Sequence, residues 1–143
     1  MGTTISTVQD DQYQRAAEEF VSHTMTRSLL TVDTVHSLVE AAHMMAERRV
    51  GAILVTEGDT LIGILTERDV LRAVGAGTIE GTVEQWMTRN PITVPSTATN
   101  GEAAMMMIHG GFRHVPIVDD GKLVGIVSIR DLLILPNESP SGV

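Results

Sequence analysis

The sequence has no cysteine and few aromatic residues, and each shortage excludes a class of site. Its 143 residues include no Cys, one Trp, one Tyr and two Phe. Without thiols there is no disulfide framework, no thiolate zinc site and no cysteine nucleophile. With so few rings, the chain lacks the aromatic platforms on which single-stranded DNA or RNA bases stack.

Long apolar runs and an excess of basic residues are also missing. The longest apolar run, Ala103–Ile108, has six residues, far fewer than the ~18–20 that cross a membrane. The first residues lack the basic segment and apolar core of a secretory signal. Eighteen acidic against ten basic residues give a net charge of −8, which repels nucleic acid and anionic membranes. We therefore expect a cytoplasmic protein with no membrane and no nucleic-acid partner.

The sequence does contain an internal repeat, with an offset of 62 residues and no gaps. Between Met25 and Leu71, 16 of 47 aligned positions are identical. The repeated phrases include Met25-Thr26-Arg27 with Met87-Thr88-Arg89, Glu40-Ala41-Ala42 with Glu102-Ala103-Ala104, and Arg68-Asp69 with Arg130-Asp131. Such regularity indicates one supersecondary unit used twice. We expect two units related by a near two-fold axis, with paired sites at their seam.

The repeat divides the chain into four predicted segments. Residues 1–20 are an N-terminal segment with a short helix from Asp10 to Phe20. The two repeat units occupy residues 21–77 and 78–135, and residues 136–143 are a polar tail. Gly75-Ala76-Gly77, at the end of the first unit, is typical of a helix stop. A chain of 143 residues fits this arrangement in one compact body.

Each unit has the same order of predicted elements: strand, helix, two-stranded hairpin, helix. Ala41 and Met45 mark the apolar face of the first long helix, and Ala103 and Met107 that of the second. Asp120-Gly121 between aliphatic runs is a strong hairpin signal. The predicted strands are Leu29–Val32, Ala52–Thr56, Leu61–Leu65, Pro91–Val94, Val115–Val118 and Leu123–Val127. The short final helices are Glu67–Val74 and Ile129–Leu135. The fold class is therefore α+β, with two pseudo-symmetric β-α-β-β-α units whose sheets must meet or be covered.

Methionines and histidines do not indicate a metal site. Helical methionines such as Met106 and Met107 are typical of core packing. His36 and His43 lie seven residues apart, without a carboxylate at metal-ligand spacing beside them. We predict no metal.

The phrase that ends each hairpin carries the predicted chemistry. It is Gly-x-x-Thr/Ser-x-x-Asp, with Gly63, Thr66 and Asp69 in the first copy and Gly125, Ser128 and Asp131 in the second. One interpretation is structural, because a hydroxyl followed three residues later by a carboxylate caps a helix, worth about 1 kcal/mol. The other is a nucleoside site, in which the helix N-terminus binds phosphate and the carboxylate binds a ribose diol. The glycine, the short Asp and the neighbouring Arg in both copies favour the second, and the two interpretations are compatible.

Together with Met-Thr at the start of each repeat and the run Arg113–Val118, these phrases resemble a pair of CBS (cystathionine β-synthase) domains, a Bateman module. The resemblance covers roughly residues 20–135. It implies a stand-alone regulatory module that binds adenosine nucleotides (AMP, ADP or ATP) or S-adenosylmethionine in clefts between the repeats. It also implies two units packed through their β-sheets, a homodimer, no required cofactor, and an unknown protein target that is regulated in trans.

The resemblance also implies roles for individual residues. By this resemblance Asp69 and Asp131 hold ribose, and Thr66 and Ser128 lie near ribose and phosphate. Those at the borders of the clefts are Gly51, Ala52, Arg113 and His114, and those that contact the base are Leu30 and Ile92. Only the second repeat has the cationic donors Arg113 and His114, so we expect one competent phosphate site and one weaker or empty site.

Two other classes of function were weighed. Catalysis needs a nucleophile–base pair or a metal, and Ser128 with His114 and Asp131 does not match a triad, because Ser128 is not on an exposed nucleophile elbow. We therefore predict that the protein is not an enzyme. The alternative to ligand sensing is an interaction or dimerisation module with degenerate clefts. In the sensing hypothesis, a ligand favours one orientation of the halves and passes that bias to a partner.

Overall fold

A computed structural model describes the chain from residue 3 to residue 132, with its side chains from residue 11 onward. The described helices are α1 Thr3–Glu18, α2 Leu38–Arg48, α3 Glu67–Gly75, α4 Val83–Trp86, α5 Asn100–Gly110 and α6 Ile129–Leu132. The described strands are β1 Thr31–Val32, β2 Ala52–Glu57, β3 Thr60–Thr66, β4 Thr88–Arg89, β5 His114–Asp119 and β6 Lys122–Ser128. The predicted α+β class is confirmed. No helix within the described range is long and apolar enough to cross a membrane.

The chain forms two compact units, and each unit is assembled from segments that are not continuous in the sequence. One unit, here the first-repeat unit, comprises Ser28–Ile92 and Asp120–Leu123. The other, here the second-repeat unit, comprises the chain up to Arg27, Thr93–Asp119 and the described residues from Val124 onward. The start of each repeat is therefore separated from the rest of that repeat.

The first-repeat unit contains a four-stranded sheet in the order β1-β2-β3-β4. Strand β1 is parallel to β2, β2 is antiparallel to β3, and β3 is antiparallel to β4. In the last pair Gly63 lies opposite Arg89 and Ile64 opposite Thr88. Since β4 comes from the Met-Thr-Arg phrase of the second repeat, the opening of the second repeat completes the sheet of the first-repeat unit.

The second-repeat unit has the same plan with shorter edges. Strands β5 and β6 pair as a hairpin, Val94 pairs parallel with Ile117, and Thr26 pairs antiparallel with Ile126. Both isolated pairs lie 62 residues from equivalent pairs in the first-repeat sheet. Here the opening of the first repeat completes the unit of the second. The repeats therefore exchange their opening segments, which the sequence analysis did not predict.

Backbone hydrogen bonds anchor each exchanged segment to the start of a long helix. In the first-repeat unit the N–H of Leu38 donates to the carbonyl of Gly81 at 3.0 Å. In the second-repeat unit the N–H of Asn100 donates to the carbonyl of Glu19 at 2.8 Å. The two bonds differ by 62 positions at both ends, so the exchange has the same geometry in both units.

Each unit has its own apolar core, and the two cores are built from equivalent residues. Met45 of α2 and Met107 of α5 lie inside, at 4% and 2% exposure, as predicted, and Met106 is partly buried against the second core. Seven pairs of core residues differ by 62 positions: Val32 and Val94, Ala41 and Ala103, Met45 and Met107, Ile53 and Val115, Val55 and Ile117, Leu65 and Val127, and Val83 and Val21. The last pair belongs to the exchanged segments, so burial of apolar area holds them in place.

The two repeated glycines of β3 and β6 leave room for methionine side chains. A methyl group at Gly63 would lie 2.6 Å from the sulfur of Met87, and one at Gly125 would clash with the sulfur of Met25. The close approach predicted at these glycines is confirmed, but using it as a sign of a ligand was wrong. The Met-Thr and Gly phrases are explained by packing of the exchanged segments.

Both predicted hairpins are present. Asp120 and Gly121 have φ angles of 49° and 77°, and Gly58 in the other turn has φ 59°. These positive values are what tight two-stranded turns require. The strand bounds agree with the prediction to within one or two residues at the hairpins.

The N-terminal helix is longer than predicted. Helix α1 begins at Thr3 rather than Asp10 and ends at Glu18 rather than Phe20, and no Gly or Pro interrupts that stretch. It packs against α5, where Asn100 Nδ2 donates to the carbonyl of Ala16 at 2.9 Å. Helix α6 is described as far as Leu132, and the predicted tail 136–143 lies outside the described residues.

Candidate functional site

The first-repeat unit gathers four of the predicted site residues at one end of its hairpin. Ala52 lies opposite Thr66 across β2 and β3. The N–H of Glu67 donates to the carbonyl of Gly51 at 3.0 Å, which closes the start of α3 against the start of β2. Asp69 lies in the first turn of α3. The hairpin therefore brings Gly51, Ala52, Thr66 and Asp69 together, and their role in binding a ligand stays a prediction.

The second-repeat unit gathers four predicted residues in the same way. The N–H of Ile129 donates to the carbonyl of Arg113 at 2.9 Å, so the start of α6 closes against the segment before β5. Arg113 is exposed, while His114, Ser128 and Asp131 are half-buried. This end of the hairpin carries a guanidinium and an imidazole where the first-repeat unit has Gly51 and Ala52.

The two residues predicted to contact a base have different surroundings. Leu30 is half-buried against the first-repeat core, and its carbonyl accepts a hydrogen bond from the N–H of Leu54 at 3.1 Å. Ile92 is 51% exposed. The residue equivalent to Leu54 in the second repeat is Pro116, which has no N–H, so the carbonyl of Ile92 cannot receive the equivalent bond.

The repeated hydroxyl–carboxylate pairs form capping boxes in both repeats. Thr66 N donates to Asp69 Oδ2 at 2.9 Å, and Asp69 N donates to Thr66 Oγ1 at 3.4 Å. Ser128 N donates to Asp131 Oδ2 at 3.0 Å, and Asp131 N donates to Ser128 Oγ at 3.1 Å. The structural interpretation therefore holds at both helices, and the short Asp does close the box. It was wrong to count that Asp against a cap. A ligand-binding role for the same residues stays a prediction.

The two carboxylates differ in how many hydrogen bonds they accept from protein groups. Asp69 is 5% exposed; its Oδ2 also accepts from Thr66 Oγ1 at 3.1 Å, and its Oδ1 accepts from Arg72 Nη1 at 2.9 Å. Asp131 is half-buried, and its Oδ1 has no hydrogen-bond donor among residues 11–132. A ribose hydroxyl could donate to Asp131 Oδ1 without displacing a described protein group.

Sequence reasoning missed Arg72 and Trp86. Arg72 follows Asp69 by three residues on α3, a spacing that places side chains on one helix face. Its guanidinium carbon lies 5.8 Å from the ring centre of Trp86 on α4. The i,i+3 spacing was visible in the sequence, but the contact with Trp86 was not, because α4 reaches this unit only through the exchange of opening segments.

The resolved pKa shifts belong to the scaffold. Hydrogen bonds from the side chain and N–H of Ser96 hold the pKa of Asp119 below its usual range. A hydrogen bond from the His36 side chain similarly lowers the pKa of Asp33. Both carboxylates stabilise the loops that lead into the long helices. Within the described part of the chain, no group of three or more His, Asp or Glu residues could hold a metal ion.

Comparison with known proteins identifies the family of this duplicated unit. The sequence model of the CBS domain matches residues 17–76 and 83–137. The chain belongs to the CBS domain family. A CBS domain-containing protein of Arabidopsis thaliana, CBSCBSPB5, is 37% identical over 124 residues, which are 84% of this chain. The chain spans 23% of the length of that plant relative.

Solved CBS structures share the fold. A CBS domain protein from Pyrobaculum aerophilum, complexed with AMP, has 31% identity and a TM-score of 0.77, with 82% of this chain and 92% of that chain covered. The CBS domain pair of protein MJ0100, in complex with 5′-methylthioadenosine and S-adenosyl-L-methionine, has 29% identity and a TM-score of 0.74. That alignment covers 79% of this chain and 91% of that pair.

Proposed function

We propose that this CBS domain pair is a regulatory module that binds an adenosyl ligand and responds to it without transforming it. The observation that carries the proposal is the half-buried Asp131 carboxylate, whose Oδ1 lacks a donor among the described residues. The proposal is supported by structural relatives that were solved with AMP and with S-adenosyl-L-methionine. A carboxylate that accepts two ribose hydroxyls gains charge-assisted bonds of about 1.5–3 kcal/mol each.

The second-repeat residues have the chemistry for a phosphorylated ligand. Ser128 and Asp131 provide a hydroxyl and a carboxylate for the ribose side, and Arg113 and His114 provide donors for an anion. A local guanidinium outweighs the diffuse net charge of −8, because screening limits distant charges to about one Debye length, ~8–10 Å. We infer that AMP, ADP or ATP is favoured at this repeat over a ligand without phosphate.

We propose that ligand binding to this module changes the state of a partner protein. A ligand that binds one conformation better than another shifts the population toward it by no more than its differential affinity. We propose that a homodimer of this chain transmits that shift to a protein target.

Calorimetric titration with AMP, ADP, ATP and S-adenosylmethionine tests the function. We expect at least one of them to bind, and Asp131→Ala to weaken that binding about 10–150-fold, the equivalent of 1.5–3 kcal/mol. The matched control is Thr99→Ala, which removes the N-cap of α5 in the same unit, where Thr99 Oγ1 accepts from Glu102 N at 3.1 Å. It should cost about 1 kcal/mol of stability and leave binding unchanged.

A second function is retained because a specific observation favours it. The Asp69 carboxylate is occupied by protein groups, as expected of a degenerate cleft. If no ligand of the panel binds at up to about 1 mM, weaker than about −4 kcal/mol, the module is better described as an interaction or dimerisation unit. The same conclusion follows if Asp131→Ala lowers stability by more than about 2 kcal/mol and leaves binding intact.

A further inference from the structure

The carboxylate of Asp69 is already satisfied by its own unit. Its Oδ2 accepts from the N–H and the hydroxyl of Thr66, and its Oδ1 accepts from Arg72 Nη1 at 2.9 Å. The Asp69 side chain is 7% exposed, while that of Arg72 is 60% exposed. A ribose diol could reach this carboxylate only after Arg72 had moved away.

Trp86 holds Arg72 over that carboxylate. The guanidinium carbon lies 5.8 Å from the indole centre, within the range of a cation–π contact. The indole is itself fixed, because Trp86 packs against the first-repeat core and is followed by Met87, which fills the space beside Gly63. Arg72 therefore contacts a charged partner on α3 and a ring on α4.

The second repeat has neither part of this arrangement. The positions equivalent to Arg72 and Trp86 are Ile134 and Thr24. Neither isoleucine nor threonine carries a positive charge or a ring. The repeats therefore share the capping box, but the sequence of only one of them provides a cation three residues after the carboxylate.

We propose that Arg72 and Trp86 form an internal latch that closes the adenosyl site of the first repeat, so that each chain binds one ligand, at the second repeat. The inference rests on the proposed function of the Asp131 site. Release of Arg72 frees the Asp69 carboxylate and opens a second, equivalent ribose site. The Arg72 guanidinium thus occupies the ligand's place, and ligand stoichiometry is set by one residue outside the shared motif.

The test is the stoichiometry of AMP binding, measured by calorimetry on the full chain. We expect one AMP per wild-type chain, binding weakened at least about 10-fold in Asp131→Asn, and two AMP per chain for Arg72→Ile, which copies the second repeat. In Arg72→Gln combined with Asp131→Asn, AMP should again bind once, about 5–30-fold more tightly than to Asp131→Asn alone, because the ligand no longer has to displace Arg72 from Asp69 and Trp86. Arg72→Gln keeps a neutral donor beside Asp69, so it carries the test if Arg72→Ile does not fold. Arg48→Gln, an exposed charge at the end of α2, controls for the loss of one positive charge.

The outcomes separate the latch from the proposed function. One AMP in the wild type and one in Arg72→Ile, with no gain of binding when Arg72→Gln is added to Asp131→Asn, would overturn the latch and leave the Asp131 site standing. Two AMP per wild-type chain, with one lost in Asp69→Asn, would also overturn the latch. No AMP in any variant would overturn both. Binding that is gained only when Arg72 is replaced would support the latch and remove the Asp131 site.

Discussion

The two repeats share a scaffold and differ at the ends of their hairpins. Both use equivalent cores, equivalent exchanged segments and equivalent capping boxes. In the first repeat Arg72 is bonded to the carboxylate, whereas in the second Asp131 is half-buried at the end of the hairpin that carries Arg113 and His114. The copies therefore share what packing requires, and the differences at Arg72, Arg113 and His114 lie where a ligand is proposed to bind.

The largest expected effect tests whether the scaffolds are equivalent. Met45→Ala and Met107→Ala each remove a side chain that is at most 4% exposed, and each should cost about 2–5 kcal/mol. Urea denaturation measures both. Met105→Ala, at a position that is 50% exposed, is the matched control and should stay within about 0.5 kcal/mol of wild type. If one core substitution were tolerated and the other not, the two cores would not be equivalent.

The next effect tests whether the carboxylates differ as their contacts indicate. Asp131→Ala removes a cap and should cost about 1 kcal/mol. Asp69→Ala removes a cap and two further bonds, from the Thr66 hydroxyl and from Arg72, and should cost about 2–3 kcal/mol. The ion pair with Arg72 contributes less than about 1 kcal/mol of this loss, because Arg72 is largely exposed. Equal losses in urea denaturation would remove the structural basis of the comparison.

A third prediction concerns the packing of the exchanged segments. Gly63→Ala and Gly125→Ala should each lower the free energy of unfolding by about 1–3 kcal/mol, because the added methyl meets a methionine sulfur. Combining Gly63→Ala with Met87→Ala should relieve part of that loss, which a double-mutant cycle measures as a coupling energy. Gly75→Ala is the control, since a methyl there meets nothing within 4 Å. Additive losses for Gly63 and Met87 would mean that the two residues do not touch in solution.

The smallest expected effect is the pH dependence of stability that Asp119 gives to the loop before α5. The pKa of Asp119 lies below its usual value of 3.8 in the folded protein, so the folded state binds fewer protons than the unfolded state near that pH. Its contribution is present above about pH 4 and is lost as the pH falls through the folded value. Asp119→Asn should therefore flatten the acid side of the stability curve. An unchanged curve would show that Ser96 does not hold this carboxylate in solution.

Much of each unit could be predicted because its signals are local. Apolar periodicity marks α2 and α5, and the Asp120-Gly121 turn marks a hairpin. The exchange could not be predicted, since an opening segment at the same 62-residue offset fits either copy and leaves the repeat pattern unchanged. Only the three-dimensional pairing of Thr26 with Ile126, and of Thr88 with Ile64, decides between them.

The residues of the candidate site could be predicted from the sequence. Which of them already contact other protein groups could not. The Gly-x-x-Thr/Ser-x-x-Asp phrase serves as a cap and as a nucleoside motif, so sequence alone could not separate the two. The glycines, interpreted as space for a ligand, make room for Met25 and Met87. The contact of Arg72 with Trp86 could not be predicted, because Trp86 comes from the opening segment of the other repeat. Local pattern therefore gives the residues of such a site, and tertiary exchange decides which of them are available.

A crystal structure of this chain grown with AMP tests the central claim most directly. The account predicts one AMP per chain, with its ribose hydroxyls within hydrogen-bond distance of the Asp131 carboxylate and Arg72 still bound to Asp69. Ribose on Asp69 with Arg72 displaced, or AMP in contact with neither carboxylate, would contradict it.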